Sequence, residues 1–242
     1  DLIDVTDELS VIGLMGPNSR QILTRVSDDD FATFAFGTSR KICIQGVGLR
    51  AARITYVGEL GWELHVPGDD AATVYDAICE AGQELGLVDA GHYAVNSLRL
   101  EKGYRAWGAD LTPDDTPLEA GLSFALAWDK QIPFIGKDAL LRQREEGLCK
   151  RMVSFVVKDP DQTLWHDEPI YRDGVCVGYT SSAAYGHTLA APVALGYVRW
   201  HQPISRRFIL DGNYEIDVAG ERVPATAHLK APYDAKRDKI LA

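Results

Sequence analysis

Two short stretches of this sequence, residues 55–67 and 103–121, carry the side chains best suited to recognise a small molecule. The candidates are aromatic or acidic: Tyr56, Glu59, Glu63, Tyr104 and Trp107. A carboxylate offers two parallel acceptors, and an aromatic ring offers a flat contact surface. Together they suit a flat, nitrogen-rich heterocycle with adjacent N–H groups, held in an aromatic pocket.

The first stretch has the pattern of a β-hairpin. Residues 49–57 and 62–66 are strand-like, and we expect Gly58 and Gly61 to adopt the positive φ angles that a short connection needs. Strand alternation places Glu63 on the opposite face from its two bulky neighbours. If that face is buried, the carboxylate must meet a cation or N–H donors. The alternative is a solvated edge hairpin that binds nothing.

The remaining chain supplies the elements that would position these residues. The pattern predicts a strand over residues 9–15, helices over 18–26, 69–85 and 138–145, and a hairpin around the glycines at 46 and 48. A further helix is predicted over residues 92–102, and three of its charged residues are expected to be solvated: Arg99, Glu101 and Lys102. The long irregular stretch at 103–121 is typical of a functional or tightly packed loop.

The last third of the chain changes character. It contains short strand patterns separated by turns, predicted over residues 151–157, 168–171, 175–180, 193–198, 206–210, 214–218 and 222–228. Such spacing is typical of a small β-barrel or sandwich. We therefore predict an α+β fold with a boundary near residue 147, which gives one domain over residues 1–146 and a β-barrel domain over residues 147–242.

Composition excludes several classes of function. With 35 acidic and 25 basic residues the formal net charge is −10, and no basic run is interleaved with aromatics, so nucleic acid is not expected as a partner. No apolar run has the length of a membrane helix. The six histidines lack metal-ligand spacing, and neither a Walker nor a dinucleotide glycine pattern is present, so no metal or nucleotide is predicted.

The four cysteines also lack metal-ligand spacing, which predicts free thiols in a reducing compartment. That compartment is predicted to be the cytoplasm, with the mitochondrial matrix as the alternative. The chain begins at Asp1 without methionine, and we interpret it as a piece of a longer polypeptide.

An ordered set of motifs along the whole chain resembles the aminomethyltransferase family, which includes the T-protein of the glycine cleavage system. The motifs are Gly16-Pro17, Tyr56-x-Gly58-Glu59-x-Gly61-Trp62-Glu63, and the stretches at 97–103, 110–113, 116–122, 134–137 and 178–188. Residues 103–108 and 113–117 look closer still to the folate-binding C-terminal half of dimethylglycine and sarcosine dehydrogenases.

The resemblance implies aminomethyltransferase-like lobes around a tetrahydrofolate site, followed by a small C-terminal β-barrel. It implies that Glu63 holds the amino and ring N–H groups of the pterin and that Tyr56 lies beside it. It also implies a catalytic aspartate before residue 1, so no catalytic residue is assigned here. The arginine that steadies the folate tail in many T-proteins is replaced by Val95. We expect other cations to contact the tail, with three candidates: Arg99, Arg105 and Lys230.

The implied activity is transfer of a one-carbon unit from a methylated amine, dimethylglycine or sarcosine, to tetrahydrofolate. FAD would be held by a separate flavin domain, joined to this chain covalently or by tight association. Two alternatives stay open: a glycine-cleavage aminomethyltransferase and a non-catalytic folate-binding module. We expect this chain alone to transfer no carbon and to bind folate weakly.

Overall fold

The computed structural model describes residues 1–242 and divides into two units. The first contains Asp1–Val95 together with Lys236–Ala242, and the second contains Asn96–Ala235. The division therefore differs from the boundary near residue 147 predicted from the sequence, and the last seven residues belong to the first unit. The boundary at 147, which rests on the change in sequence pattern, stays a prediction.

The chain is a mixture of helices and strands, as predicted. The helices are α1 Ser19–Val26, α2 Ala71–Gly82, α3 His92–Glu101, α4 Lys137–Glu146, α5 Arg206–Leu210 and α6 Asp238–Leu241. The strands are β1 Leu9–Met15, β2 Ser39–Ile44, β3 Val47–Ala52, β4 Gly61–Pro67, β5 Lys150–Val157, β6 Pro169–Arg172, β7 Val175–Gly186, β8 Ala191–Arg199, β9 Tyr214–Val218 and β10 Glu221–His228. None of the helices combines the length and apolarity that a membrane crossing requires.

In the first unit, a four-stranded antiparallel sheet has the order β1-β4-β3-β2. Trp62 lies at the centre of its core, fully buried, with the rings of Phe31 and Phe34 at 5.9 and 6.1 Å in edge-on contact. Helices α1 and α2 contribute buried residues to the same core, among them Ile22 and Val74. The sheet therefore has one face packed against the core and one face that carries the alternate residues.

The predicted hairpin around Glu63 is partly wrong. Strand β3 ends at Ala52 rather than at residue 57, because the Ile54 N–H bonds the Ala52 carbonyl at 3.0 Å and turns the chain out of the sheet. Gly58 has the expected positive φ of 79°, but Gly61 is the first residue of β4 and has no positive φ. Glycine is needed at 61 for space, because an added Cβ would lie 2.7 Å from the Met15 Cγ.

The second unit contains a closed six-stranded barrel of order β10-β5-β8-β7-β6-β9, which confirms the predicted C-terminal β-barrel. Fully buried residues such as Phe155 and Ile216 belong to its core. The strand predicted over residues 206–210 is wrong, because this segment is the helix α5. The Ser205 side chain accepts a bond from the Phe208 N–H at 3.0 Å, which caps the helix, and only Ile209 is buried.

Candidate functional site

The connection between β3 and β4, residues 53–60, is held in place by the turn that follows β1. The Gly16 N–H and the Ser19 hydroxyl both donate to the Leu60 carbonyl, at 2.8 and 3.2 Å. Gly16 has a φ of 129°, which explains why glycine precedes the proline there. This connection is not the short polar tip predicted from the sequence, since Val57, Gly58 and Leu60 are buried.

Glu63 lies in the middle of β4, on the face opposite the core. Its neighbours Trp62 and Leu64 are fully buried against the core, whereas Glu63 itself is partly exposed, as strand alternation predicted. The carboxylate makes no hydrogen bond and no salt bridge within the chain. A partly buried carboxylate without a donor is a receptive position for a ligand that brings its own N–H groups.

The residues on either side of Glu63 leave space above the sheet. Glu63 pairs with Gly13 of β1 and with Ala52 of β3. Its neighbours in this row are therefore a glycine without a side chain and an alanine with a single methyl group. A Cβ added at Gly13 would meet only the Met15 Cε, at 3.7 Å. The positions paired with Glu63 on both sides therefore carry no large side chain.

The other two candidates of the first stretch lie in the connection that leads into β4. Tyr56 is 37% exposed, so its ring can present a surface to solvent or to a ligand. Glu59 is partly buried between the buried residues Gly58 and Leu60. The connection thus carries the Tyr56 ring and the Glu59 carboxylate, seven and four residues before Glu63.

In the second unit, the charged end of α3 differs from its prediction. Arg99, Glu101 and Lys102 are buried, with exposures of 3%, 0% and 5%, rather than solvated. Arg99 forms an ion pair with Asp110 at 2.5 Å, and Lys102 forms another with Asp234 at 2.6 Å. The pattern of the helix alone could not predict these partners, because both acids lie outside the helix, 11 residues after Arg99 and 132 residues after Lys102.

Asp110 is a fully buried carboxylate of that unit, and both of its oxygens accept hydrogen bonds. Beside Arg99, it accepts bonds from the Ser181 hydroxyl at 2.5 Å and from the Ala106 N–H at 2.9 Å. The Ser182 hydroxyl accepts a bond from Arg99 at 2.9 Å. This network ties the irregular stretch and α3 to β7, so neither Arg99 nor Asp110 is available to bind a ligand.

The two aromatic candidates of the second stretch lie in the second unit. Trp107 is 75% exposed, and Tyr104 is partly buried. Arg105 donates to the Ala120 carbonyl at 3.0 Å, and burial lowers the pKa of its guanidinium. Of the three cations expected to contact a folate tail, only Lys230 is exposed.

Sequence reasoning missed the residues that shape the surface around Glu63. Gly13 and Ala52 become its neighbours only through strand register, and no motif marks them. The same register aligns Lys41, Arg50 and His65 in the adjacent row. Alternation within each strand indicated which residues share a face, but the pairing of strands that are distant in sequence could not be derived from it.

Two family models match this chain. The model described as the GCVT N-terminal domain matches residues 1–130, and the glycine cleavage T-protein C-terminal barrel domain matches residues 150–234. The chain belongs to the glycine cleavage T-protein family. The family resemblance stated from the motifs is thereby confirmed.

Relatives within this family include proteins much longer than this chain. Human mitochondrial sarcosine dehydrogenase is 41% identical over 243 residues, which cover 99% of this chain and 26% of that protein. Mouse mitochondrial dimethylglycine dehydrogenase is 38% identical over 228 residues, covering 93% of this chain and 26% of that protein. The chain thus spans about a quarter of the length of these relatives.

The fold has a solved counterpart in the same family. The glycine cleavage system aminomethyltransferase T from Bartonella henselae matches with a TM-score of 0.67 and 18% identity, over 95% of this chain and 85% of that one. At this identity the likeness concerns the fold. It confirms the predicted α+β fold, in which aminomethyltransferase-like lobes precede a β-barrel.

Proposed function

We propose that this chain binds tetrahydrofolate and serves the transfer of a one-carbon unit from a methylated amine to that folate. In the proposal, the Glu63 carboxylate accepts the exocyclic amino and ring N–H groups of the pterin. Tyr56 and Glu59 contribute from the preceding connection, while the assignment of Tyr104 and Trp107 stays the prediction made from the sequence.

The observation that carries this proposal is the environment of Glu63. Its carboxylate is partly buried, has no donor within the chain, and stands between Gly13 and Ala52. A protein that leaves such a group without a donor loses stabilisation that a neighbouring arginine or lysine could have supplied. A bidentate partner with two N–H groups, such as an aminopyrimidine ring, would replace that missing donor with charge-assisted bonds.

The amine is proposed from the relatives, whose names refer to sarcosine and dimethylglycine. A flavin domain elsewhere in the polypeptide would oxidise the methylated amine to an iminium. The two folate nitrogens would then capture its carbon as 5,10-methylene-tetrahydrofolate and release the demethylated amine. The role of Glu63 is to bind and orient the ring at its pyrimidine end, and the group that moves protons at the reacting nitrogens is proposed to precede residue 1.

Titration calorimetry with a reduced folate, on the full-length polypeptide, tests this assignment. Glu63→Gln removes the negative charge and replaces one acceptor with a donor. We expect it to weaken binding by roughly 1.5–3 kcal/mol, about 10- to 150-fold, while thermal stability stays unchanged.

The matched control is Glu80→Gln, which removes the same charge from an exposed position on α2. It should leave folate affinity unchanged. Equal affinities of the Glu63→Gln variant and the parent protein would overturn the proposal.

A further inference from the structure

Two arginines of the first unit meet on the core side of its sheet. Arg20 of α1 and Arg53, which follows β3, place their guanidinium carbons 5.6 and 5.7 Å from the centre of the Trp62 ring. Both donate to the carbonyl oxygen of Ala242, at 2.7 and 2.6 Å. Trp62 and Glu63 are consecutive in a strand and point to opposite faces, so these arginines lie on the other side of the sheet from Glu63. We call Arg20 and Arg53 the arginine pair.

The arginine pair has no acidic partner in the chain. Arg53 is 6% exposed and donates otherwise to the Phe34 carbonyl, at 2.6 Å. Arg20 is partly buried and donates otherwise to the Phe31 carbonyl, at 3.1 Å. Neither forms a salt bridge. Burial, followed by the positive charge of Arg20, lowers the pKa of the Arg53 guanidinium. Two like charges in such a position are unfavourable unless an anion accompanies them.

Two buried N–H groups of this cluster also lack an acceptor. They are the Nε of Arg53 and the Nε1 of Trp62. Buried donors without an acceptor are uncommon in native proteins. The side chains of the cluster supply donors alone, and the acceptors that they reach are main-chain carbonyls without net charge. This surplus of donors and of positive charge indicates a site for an anion.

One of those acceptors belongs to the segment Lys236–Ala242, which is part of the first unit. The segment contains the short helix α6, and its Ile240 is 2% exposed. Burial of Ile240 anchors the segment, so that the main chain of residue 242 reaches both guanidinium groups. A guanidinium presents parallel donors that match the two oxygens of a carboxylate, whereas the single carbonyl oxygen engages one nitrogen of each arginine.

We propose that the arginine pair is a carboxylate-binding site, centred where the main chain of residue 242 supplies one carbonyl oxygen. The second carboxylate oxygen would meet N–H groups that lack an acceptor. Two sources can supply the carboxylate: the main chain of residue 242, in a polypeptide that terminates there, or a small free carboxylate that displaces the Ala242 carbonyl. The site is separate from the proposed folate site, and it does not depend on the role of Glu63.

Hydrogen exchange of the segment 236–242, followed by mass spectrometry, distinguishes the two sources. The Leu241 N–H, which bonds the Arg237 carbonyl at 3.2 Å, reports local opening. The full-length polypeptide is prepared in two forms, one that ends at Ala242 and one in which Gly-Ser-Gly follows Ala242, so that residue 242 carries no carboxylate. If the main chain is the source, exchange should be about 10- to 150-fold faster in the extended form, as expected for loss of a charge-assisted bond.

If a free carboxylate is the source, the two forms should exchange at equal rates. Sodium acetate should then accelerate exchange in this segment until the site is saturated, because it displaces the Ala242 carbonyl. Sodium chloride at the same concentration should have no such effect, and segments elsewhere in the chain should not respond to either salt.

Arg53→Met and the less buried Arg20→Met should each abolish whichever effect is observed, so the result does not depend on one buried substitution. Arg25→Met is the control, because it removes a positive charge from an exposed position of the same helix and should retain the effect. Equal exchange in the two forms together with no response to acetate overturns the inference. So does an effect that persists in both Arg53→Met and Arg20→Met.

Discussion

Two carboxylates of this chain have opposite environments. Asp110 is fully buried and satisfied by Arg99, Ser181 and the Ala106 N–H, so it acts as a structural anchor. Glu63 is partly exposed and has no donor. Both occur in motifs shared with the family, and only the structure separates the anchor from the ligand-binding candidate.

The anchor role of Asp110 can be tested through its partner. Arg99→Met leaves a buried carboxylate without its cation and should lower the free energy of unfolding by about 3–5 kcal/mol in chemical denaturation. Adding Asp110→Asn to that variant should cost less than the two single losses combined, since the residues share one network. The exposed Arg142→Met should change stability by about 0.5 kcal/mol or less. A similarly small loss for Arg99→Met would show that the pair is not structural.

At the scale of elements, the sequence predicted the helices and strands that are marked by the periodicity of their own residues. The α2 stripe, the barrel strands and the outward position of Glu63 follow from helical and strand periodicity. The predictions that were wrong depend on contacts outside the element or on a helix cap. The buried end of α3 depends on Arg99 meeting Asp110, and residues 206–210 became a helix through the Ser205 cap. Register, which sets the neighbours of Glu63, was not predictable from single strands.

The small neighbours of Glu63 lead to a prediction in which stability and binding change in opposite directions. Gly13→Val should fit β1, because a Cβ there meets only Met15 at 3.7 Å and a β-branched residue suits a strand. Replacing a strand glycine should leave stability unchanged or raise it by roughly 0.5–1 kcal/mol. The same side chain would fill the space beside Glu63 and weaken binding of a reduced folate at least about tenfold, or about 1.4 kcal/mol. Thermal melting and calorimetry on the same variant measure both effects, and unimpaired folate binding would contradict the proposed ring position.

At the scale of the whole molecule, the structure and the sequence pattern suggest different separable parts. The second unit, Asn96–Ala235, includes Arg99 and the Asp110 loop, whereas the predicted domain over residues 147–242 lacks both. In that shorter fragment, Ser181 and the Tyr197 hydroxyl lose their bonds to Asp110, and Ser182 loses its bond from Arg99. We expect residues 96–235 to unfold in one cooperative transition and residues 147–242 to unfold at lower denaturant concentration. Equal midpoints would favour the boundary near 147.

The central claim is that this chain directs the one-carbon unit onto folate, and the distribution of the product measures that most directly. The full-length polypeptide is supplied with dimethylglycine or sarcosine, tetrahydrofolate and an excess of a formaldehyde-oxidising enzyme. The scavenger removes any formaldehyde that escapes, so unaided condensation with folate in solution does not contribute. The quantity measured is the fraction of oxidised methyl groups recovered as 5,10-methylene-tetrahydrofolate.

The parent protein and its Glu80→Gln variant should place most of the carbon on folate. Glu63→Gln should oxidise the amine at the parental rate and release most of the carbon as formaldehyde, because the folate ring is no longer held. If Glu63→Gln gives the parental fraction of methylene-tetrahydrofolate at a folate concentration below saturation, Glu63 does not hold the folate and the account is wrong.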